Sequence, residues 1–236
     1  MSIVVKELTK FFDKQIAVNK ISFEAHPGRI LGFLGPNGAG KSTTMKMITG
    51  FLSPNHGEIF VAGINTSLES IYVKQKIGYL PESNPLYFDM YVKEYLQFVG
   101  EIYRVKNLKN RINEVIEATG LQKEQHKQIG QLSKGYKQRV GLAQSIIHNP
   151  EVLILDEPTS GLDPNQLIEI RNLIKELGKT KTVILSTHIM QEVEAICDDV
   201  IIINKGKIVA NEPLNQLLAI HKEKTLEPIF VKLTNL

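Results

Sequence analysis

One cysteine stands in the whole chain, Cys197. With no second thiol there is no intrachain disulfide framework, and a reducing compartment is the simplest setting. No apolar run approaches the roughly 20 residues that a membrane-spanning helix needs. Any work at a membrane is therefore expected to draw on another chain. The N-terminal stretch "MSIVVKELTK" lacks the basic-then-apolar layout of a secretory signal. Excess charge is missing too. Lys and Arg number 28 against 25 Asp and Glu, a formal net charge of +3. That is too mild for a nucleic-acid-binding arm or an acidic solvating tail, and no nucleic-acid partner is expected. Tandem repeats and low-complexity segments are also absent. What remains is 236 residues of ordinary apolar and charged content, enough for one large domain or two small ones around a sizeable core.

The residues present alternate between short strands and helices. "RILGFLG" (29–35) reads as a buried strand, and "KSTTMKMITG" (41–50) as a helix closed by Gly50. "KIGYLPE" (76–82) is strand-like and ends at a proline. From about Asn84 to Pro150 the pattern turns helical. Val92, Leu96, Val99 and Tyr103 share one face of a helix over 92–105. Ile112, Val115, Ile116 and Thr119 share a face over 108–120, with Gly120 as the stop. Strands return with "EVLILDEP" (151–158), "KTVILSTH" (181–188) and "DVIIINKGKIV" (199–209), the last a candidate hairpin. Runs such as "VLIL" suit central strands buried on both faces. The fold class is α/β, with a helical insertion.

"GPNGAGKST" (35–43) fits Gly-x-x-x-x-Gly-Lys-Ser/Thr between a strand and a helix. Its glycines let successive backbone N–H groups converge on phosphate oxygens, with a helix N-terminus behind them. Lys41 would reach the terminal phosphates and Ser42 would hold Mg²⁺. In "VLILDEP", Asp156 closes an apolar strand, where it can hold Mg²⁺ through water. Glu157 follows directly. Neighbours in an extended strand point to opposite sides, so the second carboxylate is free to polarise an attacking water.

"QLSKGYKQRV" (131–140) poses a different problem. Ser133 is a good N-cap, yet Lys134, Lys137 and Arg139 follow it. Each cation at a helix start costs about 0.3–1 kcal/mol, and Gly135 about 1 kcal/mol against alanine.

Taken together these motifs resemble the ABC (ATP-binding cassette) ATPases over almost the whole chain. The resemblance implies a single ABC ATP-binding domain, residues 1–236. Its P-loop NTPase core would carry a small antiparallel β subdomain and an inserted α-helical subdomain at about 83–150. It implies ATP and Mg²⁺ as ligands. Gly35, Pro36, Asn37, Gly38, Ala39, Gly40, Lys41, Ser42 and Thr43 match the Walker A loop. Asp156 and Glu157 match Walker B, with Glu157 the catalytic carboxylate. Phe12 matches the aromatic that stacks on adenine, with Phe11 as rival. Asp163 in "SGLD" matches the D-loop near a dimer seam, and His188 the switch histidine at the γ-phosphate.

"LSKGY" (132–136) corresponds to the signature motif, usually Leu-Ser-Gly-Gly-Gln. Family members pair head to tail, so Ser133 and Gly135 would meet ATP held by a second copy or by a paralogous subunit. The cations would then serve as attraction for an arriving triphosphate. Two departures stand out. Lys134 and Tyr136 replace Gly and Gln, and Glu82 sits where most members carry a Gln that approaches the metal. "GYLPE" with "LSKGY", and the closing "TLEPIFVKLTNL", resemble the ATPases of ABC-2-type exporters. "EPTSGLDPNQ" and "STHIMQEVEAICD" resemble their gliding-motility-associated subgroup.

This family likeness implies a cytoplasmic subunit, peripheral on the inner face of the cell membrane, beneath a separate transmembrane permease. The aromatic-rich stretch from Tyr87 to Tyr103 would receive that partner, through Tyr87, Phe88 and Met90 above all, while Tyr95, Phe98 and Tyr103 fill the core. A soluble ABC protein remodelling a ribosome or scaffold is the alternative. A GTPase is disfavoured, because "NKGK" (204–207) has Lys207 where guanine reading needs Asp.

Overall fold

The computed structural model describes residues 2–67 and 70–234. In chain order, β1 (Ile3–Phe12) and β2 (Gln15–Ala25) form a hairpin, and β3 (Ile30–Leu34) leads into α1 (Lys41–Ile48). β4 (His56–Val61) and β5 (Ile64–Asn65) form a second hairpin, and α2 (Ser70–Lys76) leads into β6 (Ile77–Leu80). Next come α3 (Val92–Ile102), α4 (Leu108–Ala118), a 3-10 turn at Ile129–Gln131 and α5 (Lys134–Ile146). β7 (Val152–Asp156), α6 (Pro164–Gly178), β8 (Thr182–Thr187) and α7 (Met190–Ile196) follow. The described chain closes with β9 (Asp199–Asn204), β10 (Lys207–Pro213), α8 (Leu214–His221) and α9 (Leu226–Thr234).

Two sheets result. One is antiparallel, in the order β2-β1-β4-β5; the other is β10-β9-β3-β8-β7-β6, parallel except for the edge strand β10. Period-2 alternation explains the layering. Val152 and Ile154 of β7 face a core shared with β1, β2, β4 and α1. Leu153 and Leu155 face a second core built with α3 to α9. The central sheet therefore lies between the small sheet with α1 and the helical layer, which is why its strands are apolar throughout.

Topology places the chemistry. The parallel strands β3, β8, β7 and β6 are neighbours and end on one side, with Phe33 beside Ser186 and Ser186 beside Asp156. Their following loops carry Gly35, His188, Glu157 and Glu82 to one edge.

Several elements depart from the sequence expectation. α3 stops at Ile102, short of Val105, because Arg104 takes φ 53. Tyr103 caps the helix and stacks on His148, ring centroids 3.9 Å apart. Phe98, expected inside, is exposed. Tyr95 is buried as expected. "NKGK" is the turn of the β9–β10 hairpin, with Lys205 at φ 47 and Gly206 at φ 76. That geometry gives the resemblance to a guanine-reading motif a purely structural cause.

Candidate active site

A cleft of about 480 Å³ opens over the carboxyl edge of the central sheet. The loop after β3 lines it with Asn37, Gly38, Gly40, Lys41, Ser42 and Thr43. Gly35 and Ala39 are buried beneath, with Pro36 half-buried beside them. Gly38 and Gly40 take φ 78 and φ 108, a region that other residues enter at a cost. A side chain on Gly38 would meet nothing within 4 Å, whereas one on Gly40 would lie 2.5 Å from the Ala17 carbonyl. Gly40 caps α1 without a side-chain bond, so the first-turn N–H groups are left for a ligand. This is an open cradle of donors suited to phosphate.

Lys41 is nearly buried beside it. Its Nζ donates to the carbonyls of Gly35 at 2.7 Å and Pro36 at 3.2 Å, and stands 4.0 Å from Glu157 Oε1. Burial pulls its pKa down, against the pull of Glu157, Asp156 and Glu82.

β7 ends at Asp156, and Glu157 takes φ 51, in the left-handed region. The strand-alternation argument therefore does not reach Glu157; a backbone kink aims it instead. Its N–H donates to the Ser186 carbonyl at 2.9 Å, which fixes the kink against β8. Burial raises the Glu157 pKa, opposed by a 2.8 Å bond from Oε1 to His188 Nδ1. His188 is half-exposed while Glu157 is buried. Such a carboxylate, kept partly toward its neutral form and held by an imidazole, is suited to take a proton from water.

Asp156 lies under the cleft, 1% exposed. Among the described residues its Oδ1, Glu157 Oε2 and Ser186 Oγ are buried without a hydrogen-bond partner. Buried polar atoms are rarely left so, and an absent ion or water is the usual reason. No group of three or more His, Cys, Asp or Glu among the described residues is placed to hold a metal alone. The hydroxyl and carboxylates present fit Mg²⁺, which takes one or two protein oxygens and completes its shell with water and phosphate. Glu82 is exposed on the cleft wall.

Phe12 lines the cleft with Gln15 and Ala17, whereas Phe11 turns away to His56, centroids 6.2 Å apart. Ser133, Gly135 and Asp163 are not in this cleft's wall. Ser133 caps α5, accepting from Tyr136 N at 3.4 Å, and Asp163 caps α6, accepting from Gln166 N at 2.9 Å. The two helix starts interlock. A Cβ on Gly135 would overlap the Gln166 side chain, and one on Gly161 would overlap Lys134. A side chain at position 135 would displace only the flexible end of Gln166.

The cations near that start also have internal partners. Arg139 is buried, donates to the Thr119 carbonyl at 2.9 Å and pairs with Glu169. Lys137 stands over the Phe88 ring at 5.2 Å. Arg139 is thereby held within its own chain, while Lys137, half-buried, and Lys134, exposed, keep their charge beside the helix start. Ser160, Gln15 and Ala17 line the cleft unforeseen. Their place depends on long-range pairing that no local pattern announces.

A phosphate-cradling loop at the end of a parallel strand, with an acidic pair on a neighbouring strand, defines a P-loop nucleotide hydrolase. Residues 18–160 match the family described as ABC transporter. The bacitracin transport ATP-binding protein BcrA of Bacillus licheniformis is 40% identical over 221 residues, covering 92% of this chain and 72% of that protein. A solved ATP-binding subunit of an ABC transporter superposes with a TM-score of 0.90 at 27% identity, covering 99% of both chains. The dimeric bacterial cassette MJ0796 gives a TM-score of 0.81 at 25% identity, over 90% of this chain and 98% of that one. The chain belongs to the ABC transporter family, as an ATP-binding subunit that hydrolyses ATP.

Proposed function

We propose that this subunit is the motor of an ABC-2-type exporter, paired head to tail beneath a separate membrane subunit on the inner face of the cell membrane. The observation that carries the reading is the position of Ser133 and Gly135: the capped start of α5 stands outside the cleft of its own chain. A second copy or a paralogue, turned head to tail, would bring that helix N-terminus to the open side of the phosphates. The likeness to a dimeric cassette and to a bacitracin transport ATPase supports the pairing and the transport role.

In this reading the cradle of Gly38 and Gly40 and the N–H groups of α1 bind the triphosphate, with Lys41 turning from its carbonyl partners to the terminal phosphates. Phe12 stacks on the base. Ser42, Asp156 and Glu82 would hold Mg²⁺, which would supply charge neutralisation of the phosphate oxygens when bound. Glu157 takes the proton of the attacking water, and His188 holds its carboxylate. Ser133, Gly135 and Asp163 complete the site from the facing copy.

No helix among the described residues is long and apolar enough to cross a membrane. A groove of about 610 Å³ lies between the core and the helical insertion, lined by Phe51, Tyr79, Val99, Ile102, Tyr103 and His148. Phe51 and Ile102 are strongly exposed in it. Its concave apolar wall favours it as the seat of a partner's helix. In the Tyr87–Met90 loop Tyr87 and Phe88 are exposed as expected, whereas Met90 is half-buried against the core.

The test is Glu157→Gln with ATP and Mg²⁺, in the chain alone and with any co-purifying membrane subunit. Stalled hydrolysis and a nucleotide-dependent dimer on gel filtration are expected. Persistent monomer in both settings overturns the shared site. Recovery with ribosomal or scaffold partners alone would assign the protein to soluble remodelling.

A further inference from the structure

α7 carries a carboxylate that the hydrolytic scheme above does not use. Glu192 is 0% exposed, deeper than either Asp156 or Glu157. Both of its oxygens are engaged, one by the loop after β7 and one by the end of β8. Oε1 accepts from the Thr159 hydroxyl, and Oε2 accepts from the Thr187 hydroxyl at 2.7 Å. Thr187 Oγ1 also accepts the Ile189 N–H at 3.1 Å, so its one proton is committed to Glu192. Among the described residues no cation stands within ion-pair reach of Glu192. A buried carboxylate without a counter-ion is costly, and two hydroxyl donors offset only part of that cost.

The location of the two donors gives the carboxylate a use. Thr159 is two residues beyond Glu157, across the rigid Pro158. Thr187 immediately precedes His188. Glu157 and His188 are themselves joined at 2.8 Å. The contacts close into a ring: Glu157, Thr159, Glu192, Thr187, His188 and back to Glu157. Within it Glu157 holds φ 51, a conformation that persists only where the surroundings impose it. An ionised carboxylate accepts from both hydroxyls at once, one on each oxygen.

We propose that Glu192 is a positioning residue for ATP hydrolysis: it ties the loop carrying Glu157 to the loop carrying His188 and so fixes their mutual geometry. The inference rests on the reading of Glu157 as the general base. Glu192 touches no substrate; it acts through Thr159 and Thr187. A side chain that only filled the core would matter for folding and not for turnover.

The experiment measures ATP turnover in the full chain, assembled with any co-purifying membrane subunit. A misplacement of about 1 Å at a reacting group can cost roughly 100-fold. Thr159→Val and Thr187→Val should each lower kcat about 10-fold or more, with KM for ATP within about twofold of the parent. Thr159→Ser and Thr187→Ser keep the hydroxyl and should recover most of the rate. Glu192→Leu, which can accept from neither hydroxyl, should lose at least as much as either valine variant. The threonine series decides the matter should Glu192→Leu fail to fold. Parent-like kcat in both valine variants overturns the inference, as do losses confined to KM or not recovered by serine. Glu157→Gln, run in parallel, separates the two failures. If it is inactive while the valine variants are not impaired, only the positioning role falls. If it turns over normally, the base assignment falls and the inference with it.

Discussion

Glu157 is held against two preferences at once, backbone and solvation. Its left-handed φ works against the folded state in either protonation form, and its burial against the ionised one. Because burial raises its pKa above the ordinary carboxylate value, folding favours the protonated form. The resulting contribution to stability is full below the ordinary value and is lost as pH rises through the raised one. Glu157→Gln, which mimics the protonated form, escapes that loss. Its stability relative to the parent should therefore rise as pH climbs from the ordinary carboxylate value, about 4.3, through the raised one. Urea unfolding at several pH values checks the sign; a flat difference contradicts the burial argument. At this scale the phosphate loop was legible, because its glycines and lysine are contiguous. The choice between Phe11 and Phe12 was not, since adjacent residues of an irregular strand end can face either way. Glu192 was hidden as well: "HIMQEVEAI" reads as an ordinary amphipathic turn until β7 and β8 bring Thr159 and Thr187 beneath it.

The starts of α5 and α6 show how an element can serve its own chain and an interface together. Ser133 and Asp163 each satisfy one first-turn N–H. Removing such a cap costs about 1 kcal/mol. Ser133→Ala and Asp163→Ala should each lower unfolding free energy by about that amount, while Ser133→Thr should lose little. Denaturant midpoints at unchanged slope would show it. A loss of turnover in Ser133→Ala far beyond this small stability change would support the head-to-tail contact. Parent-like turnover would confine Ser133 to capping. The caps, Gly50 and Gly120 were readable locally, as were the apolar faces of α3 and α4. The closeness of Gly135 to the Gln166 side chain was not, because the two are distant in sequence. Nor were the partners of Arg139, which lie on α6 and at the end of α4.

The whole molecule opens its cleft at the start of α1 and its apolar groove at the end of α1, against the helical insertion. The alternation of strands and helices made the parallel sheet legible, and the resemblance supplied the antiparallel one. Local pattern failed there because the pairing of β1 with β2 and β4 shifts register, with Glu7 and Lys20 at positive φ. The groove needs β6, α3 and α5 assembled, so the sequence pointed to the neighbouring aromatic loop instead. That difference can be measured. Phe51 and Ile102 are 78% and 62% exposed, so charge there leaves the core intact. Phe51→Glu and Ile102→Glu should change the stability of the isolated chain by no more than about 0.5 kcal/mol and leave its nucleotide affinity intact. Burying an unpaired charge against an apolar partner is strongly unfavourable, so recovery of the membrane subunit should fall about 10-fold or more. Tyr87→Glu and Phe88→Glu should reduce recovery far less. The opposite ranking would move the docking site back to the loop after β6 and leave the groove without a partner.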